Sequence, residues 1–436
     1  MSADHLDVSQ LTKSVKSLDK EQFLQLVKEY YVQKDRDEEE LERLATALQE
    51  KVVAPRIALE EIQDPKLREK LSVLANVPQS GPTGQALMVP SYSPDRAIRE
   101  ATMAAPDQWK DEDGNGILVY RATNELRVYL AKKKDALPVE DALEVIRKFS
   151  PSTALTGRII LGLWNQRRYD NRLSSNGSAA IKIDEILNWR GIKKHTKLAY
   201  PGSDCGQKYT DGHRDIRKDA VLEDLKLLGS CYVRGRCTIF IKGKAKELFI
   251  DGPYLNYSLV YHPTLWGDKE LVGFFVNAGD WIHTYEDNSN IYLAQAEEKI
   301  FHLNPQNQQH ELRVALYLIE LWREAAKKRT YTEPIKMEQL LVASAIGIDK
   351  RHLTARFIPR IEAALETLGS LGILGDAPIC LAPADRSKAQ WGKDWLASRW
   401  VLLPPPGVIQ RYQEIAAPTP KARKKTPKMI KQEGKA

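Results

Sequence analysis

The feature that most constrains this chain is a repeat. The run RIILGLW, Arg158 to Trp164, is echoed by RVALYLIELW, Arg313 to Trp322, and each is an apolar helical pattern ending in tryptophan. Further on, IKIDEIL (Ile181 to Leu187) is echoed by IKMEQLL (Ile335 to Leu341), a short amphipathic helix in each copy. A basic turn follows both: Gly191-Ile192-Lys193-Lys194 in the first, Gly347-Ile348-Asp349-Lys350-Arg351 in the second. A longer helix comes next, Arg214 to Leu228 and Arg356 to Leu368. Small residues stop each, at Leu228-Gly229-Ser230 and at Leu371-Gly372. The first copy carries about ten extra residues in its turn, within Lys197 to Gly212. Three helical elements in the same order twice predict two tandem domains of one plan.

After each third helix the period changes from helical to alternating. Cys231 to Val233 and Cys237 to Ile241 flank Arg234-Gly235-Arg236, and Glu247 to Ile250 follows Lys242-Gly243-Lys244. In the second copy Arg399 to Leu403 is the strand, approached through the polar segment Asp385 to Lys393. Three helices and a β-hairpin make the winged-helix plan. The expected fold is therefore mainly α with small β-hairpins, an α+β class, built of two tandem winged-helix domains and a helical N-terminal region. The boundaries are drawn as residues 1–76 for that region and 77–116 for a linker rich in Pro, Gly, Ser and Asp. The first winged-helix domain takes 117–262, a connector 263–308, the second domain 309–404, and a disordered basic tail 405–436. Within the N-terminal region, residues 18–52 read as helix, with Asp19 as N-cap and Leu41, Leu44 and Leu48 along one stripe. Such a stripe fits the chain's own core or, in a homodimer, a second copy.

Charge narrows the function. Residues 1–72 hold 12 Lys/Arg against 16 Asp/Glu, whereas 188–218 hold eight Lys/Arg against three Asp. Pro418 to Ala436 hold seven basic residues against Glu433 alone. Positive charge gathered in two places is the footprint of a surface that meets a polyanion. In a helix-turn-helix unit the N-terminal residues of the third helix meet base edges in the major groove. The candidates are Lys208, His213, Arg214, Arg217 and Lys218 in the first copy, and Arg351, His352, Thr354, Arg356 and Arg360 in the second. Arg214, Arg217 and Lys218 stand at i, i+3 and i+4, one helix face, and arginine can pair bidentately with guanine. Lys193, Lys194 and Lys197, the wing residues Arg234, Arg236, Lys242 and Lys244, and Lys421, Arg423, Lys424 and Lys425 of the tail are expected to hold phosphates.

Other classes find little to stand on. No phosphate-binding GxxxxGK[ST] loop occurs, and no paired histidines with a downstream tyrosine suggest strand nicking. Cys205, His213, Cys231 and Cys237 have spacings that fit no common zinc pattern, so neither metal nor other cofactor is expected. The chain is read as a binder, not an enzyme. It lacks any run of apolar residues of membrane-spanning length, which predicts no membrane partner and a cytoplasmic, nucleoid-associated location.

The duplicated IK[IM][DE][EQ][IL]L pattern, the basic third helix and the terminal hairpin together resemble plasmid replication initiators with tandem winged helices. The resemblance covers about residues 153–404. It implies binding of double-stranded DNA repeats at an origin, host replication proteins as partners, and Arg214, Arg217, Lys218, Arg356 and Arg360 as DNA-reading positions. An N-terminal extension of about 150 residues and the basic tail depart from that family. They leave open an accessory role in a larger nucleoprotein complex, or transcriptional regulation.

Overall fold

A computed structural model describes residues 56–77, 86–112, 114–122, 125–132, 135–194, 196–198, 208–210, 213–241, 244–264, 269–282, 293–328 and 330–416. The helix expected over 18–52 and the charged stretch from Lys421 lie outside the described residues. The chain divides into two compact units, Met1–Tyr292 and Leu293–Ala436. Both mix helix with sheet, an α+β class.

The first α-helix among the described residues of unit 1 is α1 (Pro65–Ala75), whose N-cap Asp64 accepts from the Lys66 and Leu67 amides at 2.9 and 3.3 Å. Strand β1 (Ala86–Pro90) and helix α2 (Ser93–Met103) follow. These fall in the stretch read as linker. There the alternation of Leu87 and Val89 and the Ala97, Ile98, Ala101 stripe, all buried, outweigh the Pro and Gly around them. Next come β2 (Val119–Arg121), β3 (Arg127–Lys132), β4 (Asp135–Ala136) and α3 (Val139–Lys148). The central helix α4 (Pro151–Tyr169) is apolar all round and correspondingly buried from Thr153 to Asn165. It lies close against β1: a Cβ on Gly162 would stand 2.9 Å from Leu87 Cδ1 and 3.1 Å from Val89 Cγ1. Asn165 Nδ2 and Arg158 Nη1 donate to the Met88 and Pro90 carbonyls of that strand.

From α4 the chain makes β5 (Ala179–Ile181), α5 (Ile183–Trp189), the small ribbon β6 (Thr196–Leu198) and β7 (Lys208–Thr210), and α6 (Asp215–Gly229). Four long strands close the unit: β8 (Cys231–Ile241), β9 (Lys244–Pro253), β10 (Leu255–Pro263) and β11 (Lys269–Ala278). At nine to eleven residues each, they are not the small hairpins expected. Two sheets result. One has the order β2-β3-β8-β9 with β4 on β3; the other is β10-β11-β5. Leu71, Leu74 and Val77 pack on Ala180, Val260 and Phe275 of the second. Where β9 passes into β10, Tyr254 stacks on Trp281 at 6.0 Å and donates its hydroxyl to Asp95 at 2.8 Å. Asp95 is itself ion-paired with buried Arg158. Burial holds the Tyr254 hydroxyl far above its ordinary pKa, which keeps it a donor.

Unit 2 contains β12 (Leu293–Glu297), α7 (Glu298–Phe301), α8 (Gln309–Lys328), β13 (Ile335–Lys336) and α9 (Met337–Ala343). A π-turn over Leu353–Phe357 leads into α10 (Ile358–Ser370), then β14 (Ile379–Cys380), α11 (Trp391–Ala397), β15 (Arg399–Val401) and α12 (Pro406–Ala416). Its sheet runs β13-β15-β14. Residues 406–416, counted with the tail from composition, form a helix because Val408 and Tyr412 find burial. Tyr412 accepts from the Gln295 amide at 2.9 Å.

With β6–β7 and β8–β9 set aside in unit 1, and the π-turn and α11 in unit 2, the two units share one series: long helix, short strand, short helix, long helix, strand, strand. In both, the first strand pairs with the third and the third with the second. Three details shift from expectation. The Ile-Lys that begins each IK motif is strand and N-cap rather than helix, since Ile181 pairs with Phe274 and Ile335 with Trp400. The strand that pairs with β5 is β11, whose Lys269–Ala278 had been assigned to the connector. Finally, the hairpin read as the wing, β8–β9, belongs to the other sheet, where Val233 and Cys231 pair with Val128 and Leu130.

Candidate nucleic-acid interface

The third helix of the repeated series, α6 in unit 1 and α10 in unit 2, sets the site. Val221, Asp224, Leu225, Leu227 and Leu228 are buried in α6, and Ile358, Ile361, Ala364, Leu365 and Leu368 in α10. Four positions of each set share one spacing, Val221, Asp224, Leu225 and Leu228 against Ile361, Ala364, Leu365 and Leu368, and Gly229-Ser230 then corresponds to Gly369-Ser370. Both serines donate to the carbonyl three residues back, at 2.7 and 2.9 Å. Small residues at 371–372 are therefore not the counterpart of Gly229-Ser230. On the corrected register Arg214 matches Thr354, Ile216 matches Arg356, and Ala220 matches Arg360.

This register reorients the first helix. Arg214, Arg217 and Lys218 lie on the N-terminal continuation of the buried stripe, at helical spacing before Val221, not on the outward face. Arg214 and Arg217 are exposed because the stripe runs past the end of the core, and neither has an ion-pair partner among the described residues. Lys218 is half-buried, 3.6 Å from Asp215, and its charge bears on Glu270 of β11. The outward face is made of Ile216, Asp219 and Ala220, with Ile216 72% exposed. Sequence reading missed this face, although the phase of Val221, Leu225 and Leu228 was enough to find it.

What holds α6 in place is polar. Asp224 accepts from Ser152, Thr153 and Thr156 of α4 at 2.9, 2.8 and 2.7 Å, with Arg190 3.9 Å away. Burial still raises its carboxyl above the ordinary value, the three hydroxyls opposing. Burial likewise lowers the Arg190 guanidinium; Asp224 resists this and Arg217 adds to it. Arg167 of α4 and Glu185 of α5 form a second buried pair, with Glu185 raised by burial. A third tie is His213, only 3% exposed. Its Nδ1 lies 2.9 Å from Asp184 Oδ1 and its Nε2 2.9 Å from the Ile192 carbonyl. His213 thus fastens the turn between α5 and α6 and is not free to meet a base.

The remaining candidates scatter. Lys193 is exposed and Lys194 half-buried in the turn after α5. Lys197 and Lys208 fall on β6 and β7, which pair antiparallel, with Lys197 opposite Tyr209 and Lys208 opposite Leu198. Arg234 lies on β8 between Arg127 of β3 and Asp251 of β9, 3.6 Å from the Asp251 carboxylate. Arg236 is 3.7 Å from Glu247. Both belong to the body of a strand, not to the tip of a wing. Lys244 opens β9, and Lys242 lies outside the described residues, as do Lys421, Arg423, Lys424 and Lys425.

Unit 2 brings its candidates together. Arg351, His352, Thr354, Arg356 and Arg360 are all exposed along the π-turn and the start of α10. Asp349 accepts from the Arg351 and His352 amides at 3.0 and 3.1 Å and pairs with the His352 ring at 3.0 Å. Those bonds hold the Asp349 carboxyl below its ordinary value. Glu362, on the next turn, is taken by Arg386 at 2.8 Å and by the Trp395 indole at 3.0 Å. Arg386 in turn lies over Trp391 at 5.4 Å. The acids near this face are thereby committed elsewhere. Arg356 and Arg360 have no ion-pair partner among the described residues.

Among the described residues no three His, Cys, Asp or Glu side chains converge as a metal site, and no helix is long and apolar enough to cross a membrane. Comparison with protein-family models, with characterised proteins and with solved structures yields no match.

Proposed function

We propose that the chain is a sequence-selective double-stranded DNA-binding protein in which each unit is a winged-helix domain. The shared strand order and the position of the third helix of the series support the winged-helix reading, with β10–β11 and β14–β15 as the returning strands. The single observation that carries the function is the exposed arginine pair of unit 2, Arg356 and Arg360, with no ion-pair partner among the described residues. Two exposed arginines four residues apart, at the end of the π-turn and in the first turn of α10, suit bidentate pairing with guanines in a major groove. Arg214, Arg217 and Lys193 are the exposed cations of unit 1 suited to phosphates. The reading assigns binding and no catalysis.

The finer role is initiation of replication of a plasmid or other mobile element, by gripping origin repeats and recruiting host machinery. The duplicated pattern supports it through family resemblance. The test of DNA binding is selection of random duplexes by the full-length chain. One enriched sequence pattern is expected. Replacing Arg356 and Arg360 together by alanine should abolish enrichment but retain weak binding to any duplex. No enrichment at all overturns the proposal, and enrichment unchanged in the double variant removes base reading from Arg356 and Arg360.

A further inference from the structure

Ile216 and Ala220 of unit 1 align with Arg356 and Arg360 of unit 2, Ala220 and Arg360 both on the α-helix, Ile216 in its first turn and Arg356 in the π-turn just before it. The correspondence follows from the burial register and from the Gly-Ser stop of both helices. At the same two positions one helix therefore carries positive charge and the other apolar surface. Ile216 is the most exposed large apolar residue among those described, in the first turn of a fifteen-residue helix. Removing it from water has a gain, and its surroundings say what covers it. Exposed Arg214 and Arg217 are its neighbours along the chain, the exposed acid beside it, Asp215, is 3.6 Å from Lys218, and Lys193 and half-buried Lys194 lie in the turn after α5 that His213 ties to the start of α6. A basic rim about an apolar centre fits a polyanion with apolar groups on the facing surface. In the major groove the apolar group is the C5-methyl of thymine. Asp219, exposed between Ile216 and Ala220, is an acceptor for the amino group of cytosine or adenine beside it. Glu223, the next acid along, is drawn to Lys148 at 3.7 Å.

We propose that the two units read different base chemistry, Arg356 and Arg360 pairing with guanine while Ile216 and Ala220 pack on thymine methyl groups. The inference rests on the DNA-binding reading above, and its test separates the two. The full-length chain is bound to its selected duplex, and each thymine in turn is replaced by 2′-deoxyuridine, which removes only the methyl. One or two positions should lose about four-fold in affinity, the worth of one buried methyl. Ile216→Ala should bind the unmodified duplex about four-fold more weakly and lose discrimination at one of those positions. Arg360→Ala should keep that discrimination while losing it against 7-deazaguanine. Since Ile216 is exposed, its removal should leave the melting temperature unchanged. A selected duplex indifferent to deoxyuridine everywhere, or an Ile216→Ala protein that still discriminates, overturns this inference alone. The latter outcome, with affinity unaltered, would mark the α6 face as a protein contact. Absence of any selected sequence overturns the DNA reading itself.

Discussion

The clearest evidence that the two units repeat one design lies in a single residue pair. Gly191 ends α5 at φ +64°, and Ala345 ends α9 at φ +55°. Each donates its amide to the carbonyl three residues back, at 3.0 and 2.9 Å. The next residue in each, Ile192 or Ile346, bonds five residues back to Leu187 or Leu341 at 3.0 and 2.8 Å. This is the left-handed helix stop that glycine accommodates without strain and alanine only at a cost. Ala345→Gly should therefore stabilise the protein by about 1 kcal/mol, and Gly191→Ala should destabilise it by a similar amount. Chemical denaturation followed by circular dichroism measures both. Equal and opposite changes are expected; a destabilising Ala345→Gly would mean that Ala345 is held by its methyl and not merely tolerated. In sequence the pairing was off by two residues, because Gly347-Ile348 resembles Gly191-Ile192 in letters while Ala345-Ile346 resembles it in conformation.

At the scale of elements, what was legible was what apolar periodicity encodes. The three helices of each copy and the shift to β after α6 follow from local pattern, although α4 and α8 do not end at their tryptophans but run on to Tyr169 and Lys328. Trp164 and Trp322 each donate the indole N–H to a backbone carbonyl, Gly177 at 3.1 Å and Leu402 at 2.9 Å. What was not legible depended on pairing between distant segments. Nothing local tells that β5 finds Phe274–Val276 rather than the strand just after α6, so the wrong hairpin was read as the wing. The facing of α6 was legible but misread, because charge was followed before burial phase. The joint between α8 and α10 offers a test of how packing sets charge. His310, at the start of α8, has its ring edge-on to Phe357 at 6.5 Å, and its Nδ1 has no hydrogen-bond partner among the described residues. Burial lowers its pKa below the ordinary 6.5, with Glu311 opposing and Arg313 and Arg360 adding to the shift. The unfolded chain then takes up the proton first, so stability falls as pH drops below about 6.5 and levels off once the folded ring is also protonated. Melting curves from pH 7.5 to 5 should fall more steeply for the wild type than for His310→Phe. Parallel curves would show that the folded site leaves the proton affinity of His310 as it is in the unfolded chain.

For the whole molecule, the distribution of charge separates affinity from selectivity. The arginines available for base edges number few, whereas Pro418–Ala436 alone hold seven basic residues against one acid. Cations that meet phosphates add affinity by releasing counterions, and each neutralised phosphate steepens the dependence of log affinity on log salt by about 0.9. A segment that contributes only such contacts changes the slope and leaves the protected sequence as it was. Deleting residues 418–436 should thus flatten the salt dependence by several units at most, and weaken binding at low salt far more than at high salt. The footprint on the selected duplex should stay the same length and in the same place. The Arg356→Ala, Arg360→Ala double variant should behave in the opposite way, shortening or blurring the footprint while altering the slope by about two or less. Titrations of the three proteins at several salt concentrations, with footprinting at one, measure both quantities on the same duplex. A tail deletion that changes the footprint would give those basic residues a share in reading bases. A double variant that changes only the slope would make Arg356 and Arg360 phosphate contacts, and selectivity would then have to come from the apolar face of α6.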